Sequence, residues 1–423
     1  MILILFLVFF LLLFLRFPVA FALGLSTLSY ILLAGYPLVV IPLKMYSGID
    51  VFVLLSIPGF IMAGNLMNSC GMTDRIIRFC NNLMGHIRGG LSLANIGASM
   101  VFSGISGTAI SDTASIGSVM IPAMKKEGYE ADFACAVTAS SSTIGPIIPP
   151  SLPMIIAGSL TGLSIGKLFL AGAIPGLMLA AGLMTVSYII SKRKKHPKQP
   201  KATWVQRGKG FIHAFWALVM TFLILFGIVG GIFTPTEASI VAVIYALLIG
   251  FFFYRTLTWK GIYRVMTNSA GTTASLMILV GFANLFGWIL VSEQVPQSLA
   301  NFLLTITENK ILLLLLINIL LIIIGSFMET IAALLIIYPI LLNVAVFAGV
   351  DPIQFSVVAV LNLIIGLNTP PVGVCLFVAS GIGRMPLEKV ARAGLPFLLV
   401  SILVLLLVTY IPALSLYLPG LFD

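Results

Sequence analysis

Charge interrupts this chain so rarely that water cannot be its main solvent. The first 15 residues, MILILFLVFFLLLFL, carry no charged side chain, and runs of similar apolarity recur to the other end. Only 9% of residues are charged and 60% are hydrophobic, whereas a soluble domain carries about 25% charged residues. At about 20 apolar residues per span there is material for about a dozen membrane-embedded segments. Every backbone N–H and C=O in hydrocarbon must be satisfied inside the protein, which favours helices. The expected fold class is therefore an all-α polytopic membrane protein with the lipid bilayer as its solvent. The opening run has no basic stretch before it and no small-residue cleavage site, so it reads as a first membrane helix and not a cleaved signal.

The few charges set the topology. Residues 191–210, SKRKKHPKQPKATWVQRGKG, hold eight of the 23 basic residues: Lys192, Arg193, Lys194, Lys195, Lys198, Lys201, Arg207 and Lys209. In so apolar a chain this is a basic cytoplasmic loop obeying the positive-inside rule, and not a nucleic-acid site. Counting outward from it places Arg75, Arg78, Arg88, Lys125 and Lys126 on the same side. The stretch 91–124 then begins and ends inside, with SGISGTAISDTAS (103–115) at its middle, and reads as a re-entrant hairpin. Residues 130–160 follow as a span broken by SSSTIGPIIPPSLP. In the second half, 311–347 (after Glu308 and Lys310) reads as a hairpin entering from the opposite face, with IIGSFMETIAA at its tip. Residues 352–382 form a span broken by GLNTPPVG.

Each half thus has a hairpin followed by a Pro-Pro-interrupted helix, with opposite orientation. Pro149-Pro150 and Pro370-Pro371 stand 221 residues apart, and the same offset pairs Ser159 with Ser380, Gly162 with Gly383 and Pro175 with Pro396. The hairpins pair at a smaller offset, Asp112-Thr113 with Glu329-Thr330 and Pro122 with Pro339. This order of features points to an inverted-repeat secondary transporter. The division expected is 1–50, N-terminal scaffold helices; 51–190, a first inverted repeat; 191–210, the basic loop; 211–264, scaffold or arm helices; and 265–423, a second inverted repeat.

The stretches FPVAFALG (17–24), SGISGTAISDTASIGSVMIPAM (103–124), SSSTIGPIIPPSLPMIIAG (140–158), GGIFTPTEASIVA (230–242) and GLNTPPVGVCLFVASGI (366–382) resemble the large membrane subunit of a TRAP (tripartite ATP-independent periplasmic) transporter. They run through the whole chain in the family's order. The resemblance implies a scaffold part and a transport part in an elevator arrangement. It implies sodium-driven uptake of a small organic acid, in the sialic acid or C4-dicarboxylate class, across a bacterial inner membrane. It also implies two partners: a small four-helix membrane subunit, separate because no further four-helix segment is seen here, and a soluble periplasmic substrate-binding protein.

The broken regions carry their own chemistry. A helix broken inside the membrane frees carbonyl oxygens, the hard ligands an alkali cation needs, at a half-helix C-terminus whose dipole is negative. At least two Na⁺ sites are expected. The first joins Ser103, Ser106 and Gly107 at the tip with Gly145, Ile148 and Pro150 at the break. The second joins Gly325 and Ser326 with Gly366, Thr369 and Val372. Substrate is expected between them, near Thr108, Asp112, Ser141, Ser142, Thr143 and Asn368. Asp112 and Glu329 lie inside apolar sequence, where a carboxylate costs about 2.5–3.5 kcal/mol. Tuning of an ion site, proton carriage and plain helix capping all stay open for them. Glu237 reads as a helix-start acid with Thr236 as the cap. Cys70, Cys80, Cys135 and Cys375 form no CxxC pair and read as packing residues; His86, His196 and His213 form no metal cluster.

No GxxxxGK[ST] loop is present, so no nucleotide cofactor is expected and the driving force is an ion gradient. A stand-alone sodium/carboxylate symporter that needs no binding protein has the same hairpin-and-break design and stays open. An intramembrane enzyme is the remote alternative: Ser103, Ser106 and Asp112 suggest a nucleophile and its partner, but no His or Lys stands near them to serve as a base.

Overall fold

The computed structural model of the chain describes residues 2–15, 17–295, 297–298 and 309–422, with backbone alone at 103–106. Ser103 and Ser106 therefore lie outside the described side chains, and Glu308 lies outside the described residues. All regular structure among the described residues is helical. Eight helices are long and apolar enough to cross a bilayer, and six shorter apolar helices accompany them. The short ones include arms of hairpins and halves of broken spans, and this is why hydropathy alone suggests about a dozen segments.

The first hairpin pairs Gly90–Ser106 with Ala109–Lys126. The first broken helix runs Ala131–Ser141, then a break, then Leu152–Thr161. The second hairpin pairs Lys310–Phe327 with Thr330–Phe347, and the second broken helix is Pro352–Gly366 and Val374–Gly383. The second arms of the hairpins start at 109 and 330 and end at 126 and 347, an offset of 221 at both ends. The broken helices start at 131 and 352, the same offset. One gapless register of 221 thus relates the repeats, and the smaller hairpin offset read from the letters is corrected. Asp112 and Glu329 are not repeat mates: Glu329 corresponds to Thr108, each the N-cap of its second arm, and Asp112 corresponds to Ala333. Side-chain similarity misled because the two tips turn with different residues.

The repeats are inverted in space. The base of the first hairpin touches the basic loop: Gly89 N–H donates to Pro197 O (3.2 Å), and Gln199 donates to Glu127 Oε1 (2.5 Å). Lys125 Nζ donates to Gly383 O (3.0 Å) at the same end. From there helix Leu387–Tyr410 crosses 24 residues, about 36 Å at 1.5 Å per residue, enough for the ~30 Å hydrocarbon core. At its far end Tyr410 O–H donates to Ile311 O at the base of the second hairpin (3.0 Å). The hairpins therefore enter from opposite faces.

Burial concentrates in the first halves of the broken helices. Residues 133–147 and 354–368 are buried without interruption, caged by the hairpins and by helices Ile165–Arg193 and Leu387–Tyr410. The second half of each broken helix packs against the other repeat's hairpin, with Ile382 beside Gly117, so the two repeats are interlocked. Each repeat also has an internal cross-link from its hairpin's first arm to its broken helix. Ser99 Oγ donates to Ser141 Oγ (2.9 Å) in one repeat, and Asn362 donates to Asn318 Oδ1 (2.7 Å) in the other. Position 362 is 141 plus 221. Such bonds satisfy polar groups that hydrocarbon cannot.

Helices outside this cage expose apolar faces, among them Ile2–Phe14, Val19–Ala34 and Trp204–Val229. Their starts are capped by local chemistry. Thr203 with Gln206 and Thr234 with Glu237 form capping boxes. The helix-start role of Glu237 is thus seen, but the cap is Thr234 and not Thr236, because Pro235 occupies the first helical position. The basic stretch is shorter as a loop than the sequence suggests: one helix runs through Arg193 and the next starts at Trp204. The four cysteines are buried and unpaired with one another.

Candidate functional site

The first break follows from its prolines, which supply no N–H to continue the ladder. After Ser141 the helix tightens to a 3₁₀ turn over Ser142–Ile144, and a new helix starts at Leu152. Ser151 bridges the gap. Its hydroxyl donates to Pro146 O and accepts from Met154 N–H (3.2 Å). The expected substrate hydroxyls are engaged with their own helix. Ser141 and Ser142 donate to Thr138 O (3.0 and 2.8 Å), and Thr143 donates to Ser140 O (2.6 Å). Ile147 O faces Gly172 of the following helix, and the Ile148 side chain faces Gly176 there. Pro150 is buried, and the Pro149–Pro150 bond is cis.

Two contacts join the first hairpin to this break. Gly107, at φ +65°, turns the tip against Leu152. One turn on, the Asp112 carboxylate lies against Gly145, where an added Cβ would stand 2.1 Å from Oδ2. Asp112 is fully buried. It stands in the first turn of its arm with Oδ2 toward the break.

The second break is built differently. Leu367, Asn368 and Thr369 N–H groups donate three residues back, to Ile364, Ile365 and Gly366 (3.1, 3.0 and 2.8 Å). Pro370-Pro371, also cis, stops the chain, and Gly373 N–H donates to Ser326 O of the second hairpin (3.3 Å). Gly325 and Gly366 meet backbone to backbone: an added Cβ at Gly366 would stand 2.5 Å from Gly325 Cα. Thr369 Oγ1 is turned back to Ile365 O (3.0 Å). Residues 370–372 are exposed, whereas the first break is buried. Glu329 caps the second arm, its Oε2 accepting from Ile331 and Ala332 N–H (2.8 and 3.3 Å).

The breaks meet at the centre. Asn368 Nδ2 donates to Ala139 O (3.0 Å) across 229 residues of sequence. Asn368 Oδ1 is buried with no hydrogen-bond partner among the described residues. Cys375, at the start of the half-helix after the second break, is fully buried.

Beside the first tip lies a cavity of about 280 Å³. Thr108, Ser111 and Ser115 line it from the hairpin, Asn65 and Asn68 from helix Ser56–Ser69, and Thr272 from helix Trp259–Ser292. Asn65 donates to Ser269 Oγ (2.9 Å) and Asn68 to Ser115 Oγ (3.2 Å). Of these wall residues the sequence reading picked out only Thr108. The available signal was Asn65 and Asn68 three apart in an apolar helix, hence on one face. The cavity has amide and hydroxyl donors over an apolar floor of Phe102 and Leu152, a composition suited to a small polar ligand with an apolar side.

Comparison with known proteins agrees with this architecture. Residues 6–414 match the family described as tripartite ATP-independent periplasmic transporter, DctM component. The sialic acid TRAP transporter large permease protein SiaM of Vibrio cholerae is 44% identical over 97% of this chain and 96% of its own. The C4-dicarboxylate TRAP transporter large permease protein DctM of Pseudomonas aeruginosa is 40% identical over 94% of each. The crystal structure of the YdaH transporter of Alcanivorax borkumensis shares the fold, with TM-score 0.60 at 16% identity over 84% of this chain and 83% of that one. A broken, twice-repeated membrane fold with a family match over nearly its whole length makes this chain a member of the large permease (DctM) family of TRAP transporters, a membrane transport protein and not an enzyme.

Proposed function

We propose that the chain carries out sodium-driven uptake of a small organic anion, with the two hairpin–break pairs as Na⁺ sites. The observation that carries this reading is the meeting of each hairpin with the break of its own repeat, at Asp112–Gly145 and at Gly325–Gly366. Each break is there in contact with its hairpin, through a carboxylate in the first repeat and through backbone in the second. A dehydrated Na⁺ shared among the carbonyl oxygens that a broken helix frees offsets their cost in hydrocarbon. Asn368, whose buried Oδ1 has no hydrogen-bond partner among the described residues and whose amide donates to Ala139 O just before the first break, stands between the two in this reading. The substrate binds in the cavity beside Thr108, and its class is that of the relatives named for sialic acid and C4-dicarboxylates.

In this reading the hairpins, broken helices and the cavity's inner wall move as one body against helices Ser56–Ser69 and Trp259–Ser292, an elevator stroke. The basic face is cytoplasmic and the membrane is a bacterial inner membrane. A separate small membrane subunit covers part of the exposed apolar helices, and a soluble periplasmic protein delivers the substrate. Two Na⁺ moving with a monoanion carry one net charge. With a tenfold gradient and 100 mV this supplies about 5 kcal/mol, or accumulation of roughly several thousand-fold.

Proteoliposomes test it. Chain, small subunit and binding protein together are expected to take up labelled acid only with an inward sodium gradient. Uptake of free substrate by the large chain alone would turn the assignment to a stand-alone symporter. Uptake indifferent to sodium would end the ion-site reading.

A further inference from the structure

A further cavity opens on the basic face, and none of its lining residues belongs to either break. It measures about 820 Å³ and is enclosed by helix Met72–Met84, the loop before Trp204 and the start of helix Trp204–Val229. Arg75, Arg78, Lys201, Lys209 and His213 line it, with Asp74 as the acid among its lining residues. We propose that this cavity binds the phosphodiester headgroup of an anionic membrane lipid.

Three observations carry the proposal. The charge of the lining is strongly positive and gathered from three separate segments, the footprint expected of an anionic headgroup site at a membrane face. The walls are fastened. Arg75 Nη1 donates to Cys70 O and Gly71 O (2.9 and 3.0 Å), with its guanidinium 3.7 Å above the Tyr254 ring. Asn82 donates to Gln206 O (3.2 Å) and Asn81 to Gln199 Oε1 (2.9 Å), so helix and loop are held in register before any ligand arrives. Finally, Phe211, Ile212 and Phe215 stand 46%, 66% and 40% exposed between and beyond the basic positions of helix Trp204–Val229. An apolar band bordering a basic cavity suits a ligand with acyl chains and not a free anion.

The experiment uses the purified, delipidated full chain in neutral detergent. Mixed micelles of phosphatidylglycerol, mixed micelles of phosphatidylcholine, and inorganic phosphate are added in turn, and thermal unfolding and native mass spectrometry are read. Phosphatidylglycerol is expected to bind saturably, to raise the unfolding temperature and to lose effect in salt. The double variant Arg78→Ala/Lys209→Ala should bind it about 30-fold more weakly, given about one tenfold step per 1.4 kcal/mol and about 1 kcal/mol per basic residue. Lys192→Ala/Arg193→Ala removes the same charge outside the cavity and should leave the affinity nearly unchanged. Equal loss in both variants, or equal binding of phosphatidylcholine, overturns the site. A matching shift from inorganic phosphate alone overturns the lipid as occupant. Mass spectrometry counts retained lipid independently of any change in variant stability.

Discussion

Replacing Gly366 with Ala tests the proposed second ion site at its narrowest point. The added Cβ would stand 2.5 Å from Gly325 Cα and carbonyl carbon and 2.9 Å from Gly325 O. Carbon atoms in contact settle at about 3.5–4.0 Å, so hairpin and broken helix must part by about 1 Å. No rotamer can relieve this, because the obstructing atoms are backbone. Overpacking of this kind costs about 1–3 kcal/mol. Hard-cation–oxygen bonds tolerate a spread of only a few tenths of an ångström, so the strain falls on the ion-bound arrangement. If it is relieved when the hairpin withdraws, sodium affinity falls by about 5- to 150-fold. The assay is uptake against sodium concentration in proteoliposomes carrying the complete system, beside Gly381→Ala, where an added Cβ meets nothing within 4 Å. Gly366→Ala should raise half-saturating sodium strongly, while Gly381→Ala leaves it alone. Wild-type sodium dependence in Gly366→Ala would refute the reasoning, because the 1 Å separation would then have displaced no ligand.

Three further outcomes are expected. Asp112→Asn keeps the shape beside Gly145 but removes the charge, and should raise half-saturating sodium about tenfold at unchanged protein yield, a shift of about 1.4 kcal/mol; sodium titration of uptake reads it. Asn65→Leu and Thr108→Val each remove one polar group from the cavity wall and should raise the substrate KM about fivefold, about 1 kcal/mol per hydrogen bond, with sodium dependence intact. The strap at 194–199 should be pH-sensitive. His196 is buried between Tyr129 and Phe133 (ring centroids 4.6 and 4.7 Å) with Nδ1 at Ser191 Oγ (3.0 Å), and burial lowers its pKa, against a raising effect of Glu130 and with a smaller lowering from Lys194. Its ordinary value is about 6.5, so the closed strap keeps its full stability above that pH. It loses stability as the pH falls below that value, because the released ring takes up a proton more readily. Hydrogen exchange of these amides should quicken at acid pH in the wild type and lose that dependence in His196→Gln.

The parts of the fold that were legible are those written in local chemistry. Pro149-Pro150 and Pro370-Pro371 stop a helix wherever they stand. The hairpin tips announced themselves through Gly107 and the Gly325-Ser326 pair, and the charge flanks placed the hairpins on opposite faces. The wall of the cavity was not legible as a whole, because it is made by juxtaposition: Asn65 and Ser269 meet across 204 residues, and the face that Asn65 and Asn68 share carries no mark of its partner helix. The basic loop read as a solvated run, yet Gln199 and His196 fasten it to the hairpin base and to the first broken helix. Basic composition records the charge of such a segment and not its anchoring.

The register of the repeats shows what similarity of letters conceals. Matching acid to acid paired Asp112 with Glu329, whereas the helix ends pair Glu329 with Thr108 and Gly145 with Gly366, 221 apart. The repeats therefore share backbone shape, including a glycine four residues before each Pro-Pro, but not side-chain chemistry. Gly145 accommodates a carboxylate from the second arm of its hairpin, while Gly366 accommodates the first arm's backbone at Gly325. One carboxylate stands a turn beyond its tip and faces a buried break; the other caps its tip beside a break that opens to the surface. Two ions bound at these places would meet different charge, burial and access, so their release in a transport cycle would not be equivalent. Moving the carboxylate by Asp112→Ala with Ala333→Asp would retain the count of acids yet lose the arrangement. Uptake is expected to fail in that double variant, and restored uptake would show that charge alone, wherever it sits between the hairpins, suffices.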